Sequence, residues 1–315
     1  MIDTAIAALR VGPPAVAGPL AVFPVHGDGA RLEFRAFAEA AALGATVTEL
    51  PGGASVGDVL VRNPLDVAVL LYEGEEVRGA QQDRTLDVSV LVAPGATLKV
   101  PVSCVEAGRW EHGRAGEAFT PAPQAAFPTL RRAKSRAAAT TGRAEQHEVW
   151  SMVGEKAMRH AASSETGALR DVFSARDEVL REFASRIPRE EGQVGAVAAI
   201  GGQVVVVDVA HRADVWAALH GPLVAGYALD AVEHIGGRVL EAPEVGVAER
   251  LLEAALVAPG AVRPGVGLGA EMRFATVAAQ GARLVHDGEL VALTAFPGEG
   301  PAPIRVRRPS RRRPA

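Results

Sequence analysis

RTLDVSVLVAPGATLKVPVSCVE, Arg84 to Glu106, places β-branched runs on both sides of the tetrapeptide Ala93-Pro94-Gly95-Ala96. Such runs bounded by Pro and Gly read as strands, and a short turn makes the strands it joins antiparallel neighbours. The stretch predicts strands at Arg84–Val92 and Thr97–Glu106, with another just upstream at Asp66–Glu73. Successive side chains in a strand point to opposite faces. Leu98, Val100, Val102 and Cys104 therefore share a face that ends in Glu106. Leu86, Val88, Val90 and Val92 share a face that begins with Arg84, and Val67, Val69 and Leu71 lead to Glu73. An up-down-up meander gathers Glu73, Arg84 and Glu106 at one rim of an apolar face. The ten residues between Glu73 and Arg84 also permit other pairings.

Outward from this stretch the chain changes its periodicity. Residues 1–15 read as an N-terminal extension and 16–112 as a β-rich half, within which residues 30–43 carry an alternative reading as a short helix. Residues 113–145 are rich in Ala, Pro, Gly and Arg around LRRAKSR (Leu130 to Arg136) and read as a basic connection. From 146 to 300 helices and hairpins alternate. Leu169, Val172, Phe173, Leu180, Phe183 and Ile187 recur at helical spacing before Pro188. Gly201-Gly202 and Asp287-Gly288 mark hairpins, because these turns need positive φ. A helix over residues 213–232 is expected to break or kink at Gly221-Pro222, and EVGVAERLLEAAL forms another. The fold class is α+β: an N-terminal sandwich or barrel-like half packed on a half of helices and hairpins.

Composition narrows the setting. With 315 residues and 48% hydrophobic side chains, the chain can bury a large core as one globular unit. Six arginines in RVRRPSRRRPA, Arg305 to Ala315, mask an acidic body: a net charge of −4 less the tail's +6 leaves −10. The tail, 301–315, reads as a disordered extension. An acidic body argues against a nucleic-acid-binding core. LRRAKSR offers cations for phosphates but no aromatic platform beside them; a basic lid over an acidic site and a solvated helix face are the other readings. A single cysteine, no leader pattern and no long uninterrupted apolar segment predict a cytoplasmic protein without a membrane partner.

The chemistry concentrates around the predicted rim. Glu73 and Glu106 are the candidate catalytic carboxylates, suited to activate a water or to hold ribose hydroxyls or a cation. Arg84 and Arg109 are suited to grip a phosphate or carboxylate, with Gln82 and Trp110 completing the ligand-binding set. An ion network closing the end of a barrel is the competing reading. The loop EGEEVRGAQQD carries more polar side chains than a connection needs. Cys104, set among Val100, Val102 and Val105, reads as a small hydrophobe. The histidines show no zinc spacing, so no metal site is expected. No P-loop, nucleophile elbow or Rossmann fingerprint names a cofactor. GVGLG (Gly265–Gly269) reads as a plain loop, and Asp208 and His211 as structural or solvated residues.

YEGEEVRGAQQDR, VAPGATLKVPVSCVEAGRW, LRRAK, QHEVW and RLVHDGELVALTAFP together resemble the ARPP family, a domain associated with ADP-ribosylglycohydrolases and rhodanese-phosphatases, over roughly residues 15 to 297. The most specific part is PVSCVE-x-GRW, which covers Ser103, Cys104, Glu106, Gly108, Arg109 and Trp110. Another motif covers Glu73, Gly74, Glu75, Gly79, Gln82 and Arg84. Where the family pattern often has Lys-Gln-Asn-Arg, this chain has Gln81-Gln82-Asp83-Arg84, which leaves no lysine nucleophile there. The resemblance implies a link to NAD or ADP-ribose metabolism. Two function classes follow: a small-ligand protein, as a hydrolase acting on a nucleotide- or ribose-derived anionic compound, or a non-catalytic interaction or metabolite-sensing module.

Overall fold

A computed structural model describes residues 9–53, 55–114, 116–141, 143–236 and 241–298. The Arg-rich tail lies outside the described residues. Two β assemblies share the molecule. One is a closed barrel, in which Thr97–Cys104, Asp58–Arg62, Thr46–Thr48, Ala118–Ala125, Glu75–Arg78 and Arg84–Leu86 follow one another around the wall. Its apolar interior takes Val47, Val59, Val61, Val77, Leu86, Val100, Val102 and Phe119. A small sheet of Val90–Val92, Ala68–Leu71 and Phe34–Ala36 lies beside it.

The other assembly is a nine-stranded sheet with Leu20–His26 near one end and Glu289–Pro297 inside it. Leu20–His26 pairs along its length with Gln193–Ile200, so an N-terminal strand joins a sheet built mainly from the C-terminal half. The reason lies in its sequence: LAVFPVH is buried on both faces, and a strand of that kind needs cover on both sides. Helix Ala213–Val232 covers one face and helix Val245–Val257 the other. Both predicted hairpins are present, with φ of 57° and 77° at Gly201 and Gly202, and 49° and 79° at Asp287 and Gly288. Gly265–Gly269 is a loop between two strands. Helix Ala213–Val232 runs through Pro222, and Gly221 before it spares the proline ring a clash with a preceding Cβ. This helix is long and apolar enough to cross a membrane, but 67% of its most apolar window is buried inside the protein.

Three local expectations change. The strand predicted at Arg84–Val92 is broken by a bend at Asp87–Ser89. Its first part pairs with Val102–Cys104 in the barrel and its second with Val69–Leu71 outside it. Thr97–Pro101 consequently pairs with Asp58–Arg62 rather than with Val90–Val92 across the Ala93–Ala96 turn. Buried Asp87 fixes the bend, accepting from the Ser103 hydroxyl at 2.7 Å and pairing with Lys134 at 2.8 Å. In the alternative reading of residues 30–43, only Phe37–Ala42 is helical. The basic stretch 113–145 is more than a connection: it supplies barrel strand Ala118–Ala125 and helix Pro128–Thr141.

That helix also corrects the readings of LRRAKSR as a lid or a solvated face. Leu130, Arg131, Lys134 and Ala138 fall on one helical stripe, and all are buried. Arg131 grips Asp208 through both terminal nitrogens, at 2.8 and 2.5 Å. The Tyr227 hydroxyl donates to the same carboxylate at 2.5 Å, and the Tyr72 hydroxyl lies 2.9 Å from it. Since Tyr72 follows a strand of the small sheet and Asp208 belongs to the large one, this network fastens the two β assemblies together. Asp208 is structural.

Candidate functional site at the barrel mouth

The last residue of strand Thr97–Cys104 lies opposite Arg84, the first of its partner. Alternation carries both inward from Val102 and Leu86, so a guanidinium and a thiol end the apolar interior at one mouth of the barrel. The Gln146 carboxamide continues the ladder there: its oxygen accepts from the Cys104 N–H and its nitrogen donates to the Cys104 carbonyl, both at 2.8 Å. Gly108 permits the next contact. A Cβ there would stand 2.9 Å from the Thr166 carbonyl, which accepts the Gly108 N–H at 2.6 Å. The segment beginning at Thr166 thereby delivers Thr166 and Arg170 to the mouth.

Glu106 is saturated. Oε1 accepts from the Thr166 hydroxyl at 2.9 Å and Arg170 at 3.0 Å, while Oε2 accepts from Arg109 at 2.6 Å and the Asp83 N–H at 3.0 Å. Burial works to raise its pKa, but the Arg109 hydrogen bond and those from Asp83 and Thr166 outweigh it and hold the carboxyl below its ordinary value. Asp83 moves the other way, raised by burial and then by the negative charge of Glu106. Arg109 and Arg170 both bridge these two acids. The result is a closed quartet of two carboxylates and two guanidiniums.

Arg84 is buried to 0% exposure with a poorer set of partners. Nη1 donates to Gln82 Oε1 at 3.0 Å, Nη2 to the Ser55 carbonyl at 3.4 Å, and Glu49 stands 3.6 Å away. Gln82 Oε1 also receives the Cys104 thiol at 3.1 Å, and its nitrogen donates to the Glu106 carbonyl at 3.0 Å. Trp110, 37% exposed, lies over the guanidinium with 5.9 Å from Arg84 Cζ to the ring centroid. Burial raises the Glu49 carboxyl above its ordinary value against the pull of Arg84. Glu49 Oε2, Gln81 Oε1, Arg84 Nε and Arg109 Nε are buried without a hydrogen-bond partner. Orphaned buried polar atoms are rare in folded proteins and call for an explanation.

The structure divides the predicted rim. Arg84, Gln82, Glu106, Arg109 and Trp110 meet at the mouth, whereas Glu73 lies in the Arg131–Asp208 network. Glu73 approaches Arg131 Nε only to 3.9 Å, and its Oε1 has no hydrogen bond. Burial, opposed by Arg131 and helped by Asp208, pushes its pKa up to about 7. A cavity of about 10 Å³, room for one water, lies against it beside Ser89, Glu271 and Arg283. The displacement follows from the bend at Asp87–Ser89: the Ser89 hydroxyl accepts the Glu73 N–H at 3.0 Å, holding this residue on the outer face of the barrel. Cys104 is wholly buried with its pKa raised chiefly by burial, which suits the small-hydrophobe reading.

Glu49, Thr166 and Arg170 were not singled out from the sequence. Glu49 comes from one segment and Thr166 and Arg170 from another, and no spacing links them to Arg84 or Glu106. Among the described residues, no group of three His, Cys, Asp or Glu side chains has a metal-holding arrangement. No curated protein and no solved structure matches the chain. A family model does: ARPP-1, the ARG and Rhodanese-Phosphatase-superfamily-associated Protein domain, matches residues 8–296, which take in both β assemblies and the whole barrel mouth. The chain belongs to the ARPP-1 family.

Proposed function

We propose that the barrel mouth binds a small anionic compound derived from a nucleotide or ribose, in NAD- or ADP-ribose-linked metabolism. The observation that carries this reading is the incomplete bonding of Arg84 beneath an exposed indole. A buried guanidinium costs free energy unless its donors are met, and a phosphate or carboxylate meets them. Glu49 Oε2 and Gln81 Oε1 add acceptors for sugar hydroxyls, and Trp110 adds an aromatic face for a base. Access to Arg84 then requires Trp110 to swing aside. Arg109 belongs to the ligand set through its unpaired Nε. The lone buried thiol suits a reducing, cytoplasmic setting.

Glu106 acts in this reading as a positioning residue that fixes Arg109 and Arg170. The family's name favours hydrolysis of the ligand. The saturation of Glu106 and the removal of Glu73 from the mouth favour the second reading, metabolite sensing without turnover, since neither carboxylate has an oxygen directed to the mouth and open to a water. A thermal-shift screen with ADP-ribose, NAD and ribose 5-phosphate tests the site, and product analysis of any hit separates the readings. A rise in midpoint that Arg84→Met and Trp110→Ala each reduce at least fivefold in affinity supports the mouth. Equal affinity in both variants, or no shift with any compound, removes it.

A further inference from the structure

Away from Arg84, a groove of about 670 Å³ opens between the barrel wall and the helices Leu169–Ser174 and Asp177–Arg186, against helix Ala213–Val232. One side is apolar: Phe173, Leu180, Pro222 and Ala225. The other presents Arg78 and Gln124 from neighbouring barrel strands. Both are oriented by a single buried carboxylate. Arg78 Nε donates to Glu76 Oε1 at 3.2 Å, and Gln124 Nε2 donates to Glu76 Oε2 at 3.0 Å. Glu76 itself has 0% side-chain exposure, so it serves as a post behind the groove wall. The terminal nitrogens of Arg78 make no hydrogen bond within the described residues, and its side chain keeps 27% exposure.

Volume, wall chemistry and one oriented cation together define a ligand class. Small-molecule sites of roughly 300–1,000 Å³ are mostly apolar with a few placed polar groups. Asp177 and Arg181 on the rim pair with each other at 2.6 Å, while Arg78, held by Glu76 through Nε alone, turns the edge of its two terminal nitrogens to a ligand. We infer that this groove binds a small amphipathic monocarboxylate, its carboxylate on the Arg78 terminal nitrogens and its hydrocarbon body against Phe173, Leu180 and Pro222. A single guanidinium edge matches one planar carboxylate through two parallel hydrogen bonds. Burial also pushes the Glu76 pKa up to about 7, so near neutrality this post only partly cancels the Arg78 charge. The site is independent of the barrel-mouth reading.

Titration calorimetry with octanoate, octanol and octylamine, on the full chain and on three variants, tests the inference. Octanoate is expected to bind at least tenfold more tightly than the alcohol or the amine. Arg78→Gln should remove that preference. Ala184→Trp, at an exposed residue lining the groove, should weaken octanoate at least tenfold without disturbing the fold. Trp110→Ala should leave octanoate binding unchanged, which separates this site from the mouth. Absence of octanoate binding at millimolar concentration, equal binding of alcohol and acid, or full affinity in both Arg78→Gln and Ala184→Trp would overturn the assignment.

Discussion

Two charged clusters in this molecule use the same ingredients and differ in how completely they are bonded. Between the β assemblies, Asp208 receives Arg131 through two nitrogens and a Tyr227 hydroxyl, with Tyr72 and Thr294 in contact. At the barrel mouth, Arg84 has one hydrogen bond at 3.0 Å, one at 3.4 Å, and a carboxylate at 3.6 Å. Buried ions are tolerated only when their partners replace the lost water. Both guanidiniums leave Nε without a hydrogen bond, but the terminal nitrogens of Arg131 are met by a carboxylate at short range, the bonding of a fastener, whereas those of Arg84 keep unused capacity. Burial alone would not distinguish them, because Arg84 and Arg131 are both at 0% exposure.

The comparison is broken most directly at the fastener. Asp208→Asn leaves the buried Arg131 without the counter-ion bonded to it, with only Glu73 at 3.9 Å, and breaking such a pair costs about 3–5 kcal/mol. Urea denaturation should show that loss; a change below about 1 kcal/mol would mean the network holds nothing together. A comparable effect, on the order of 3 kcal/mol, is expected from pH through Glu73. Its pKa rises from an ordinary 4.5 to about 7 on folding, so the folded protein binds the proton more tightly. The contribution is whole below about 4.5 and is lost as pH climbs through 7. Wild-type stability should therefore fall relative to Glu73→Gln across that window, and parallel melting curves would refute the assignment. At the mouth, Arg84→Met should cost only about 1 kcal/mol, since little bonding is lost. A cost as large as that of Asp208→Asn would make the mouth a second fastener.

Much of the barrel mouth was legible from one short sequence interval. Period-two alternation places Arg84 with Leu86 and Cys104 with Val102, and the observed register sets Arg84 against Cys104. Gln82, Glu106, Arg109 and Trp110 follow because they are within a few residues of those strand ends. Glu73 did not follow. Its predicted position depended on an unbroken strand, and a side chain 47 residues downstream of Asp87, Lys134, pairs with the bend that breaks it. The basic helix misled for a related reason: LRRAKSR has the composition of a solvated surface, and nothing local reveals that Asp208 and Asp87 await its cations.

By itself, the sequence determined the α+β class, both glycine-containing hairpins, the interior position of Cys104 and the polar character of the barrel end. These depend on backbone freedom and side-chain alternation over a few residues. Tertiary structure alone decided that Leu20–His26 joins the distant sheet, that Arg131 and Lys134 turn inward, and that Glu49 and Arg170 reach the mouth. Those outcomes depend on which buried charges find partners across the chain, and a partner's distance in space is not encoded in its distance in sequence.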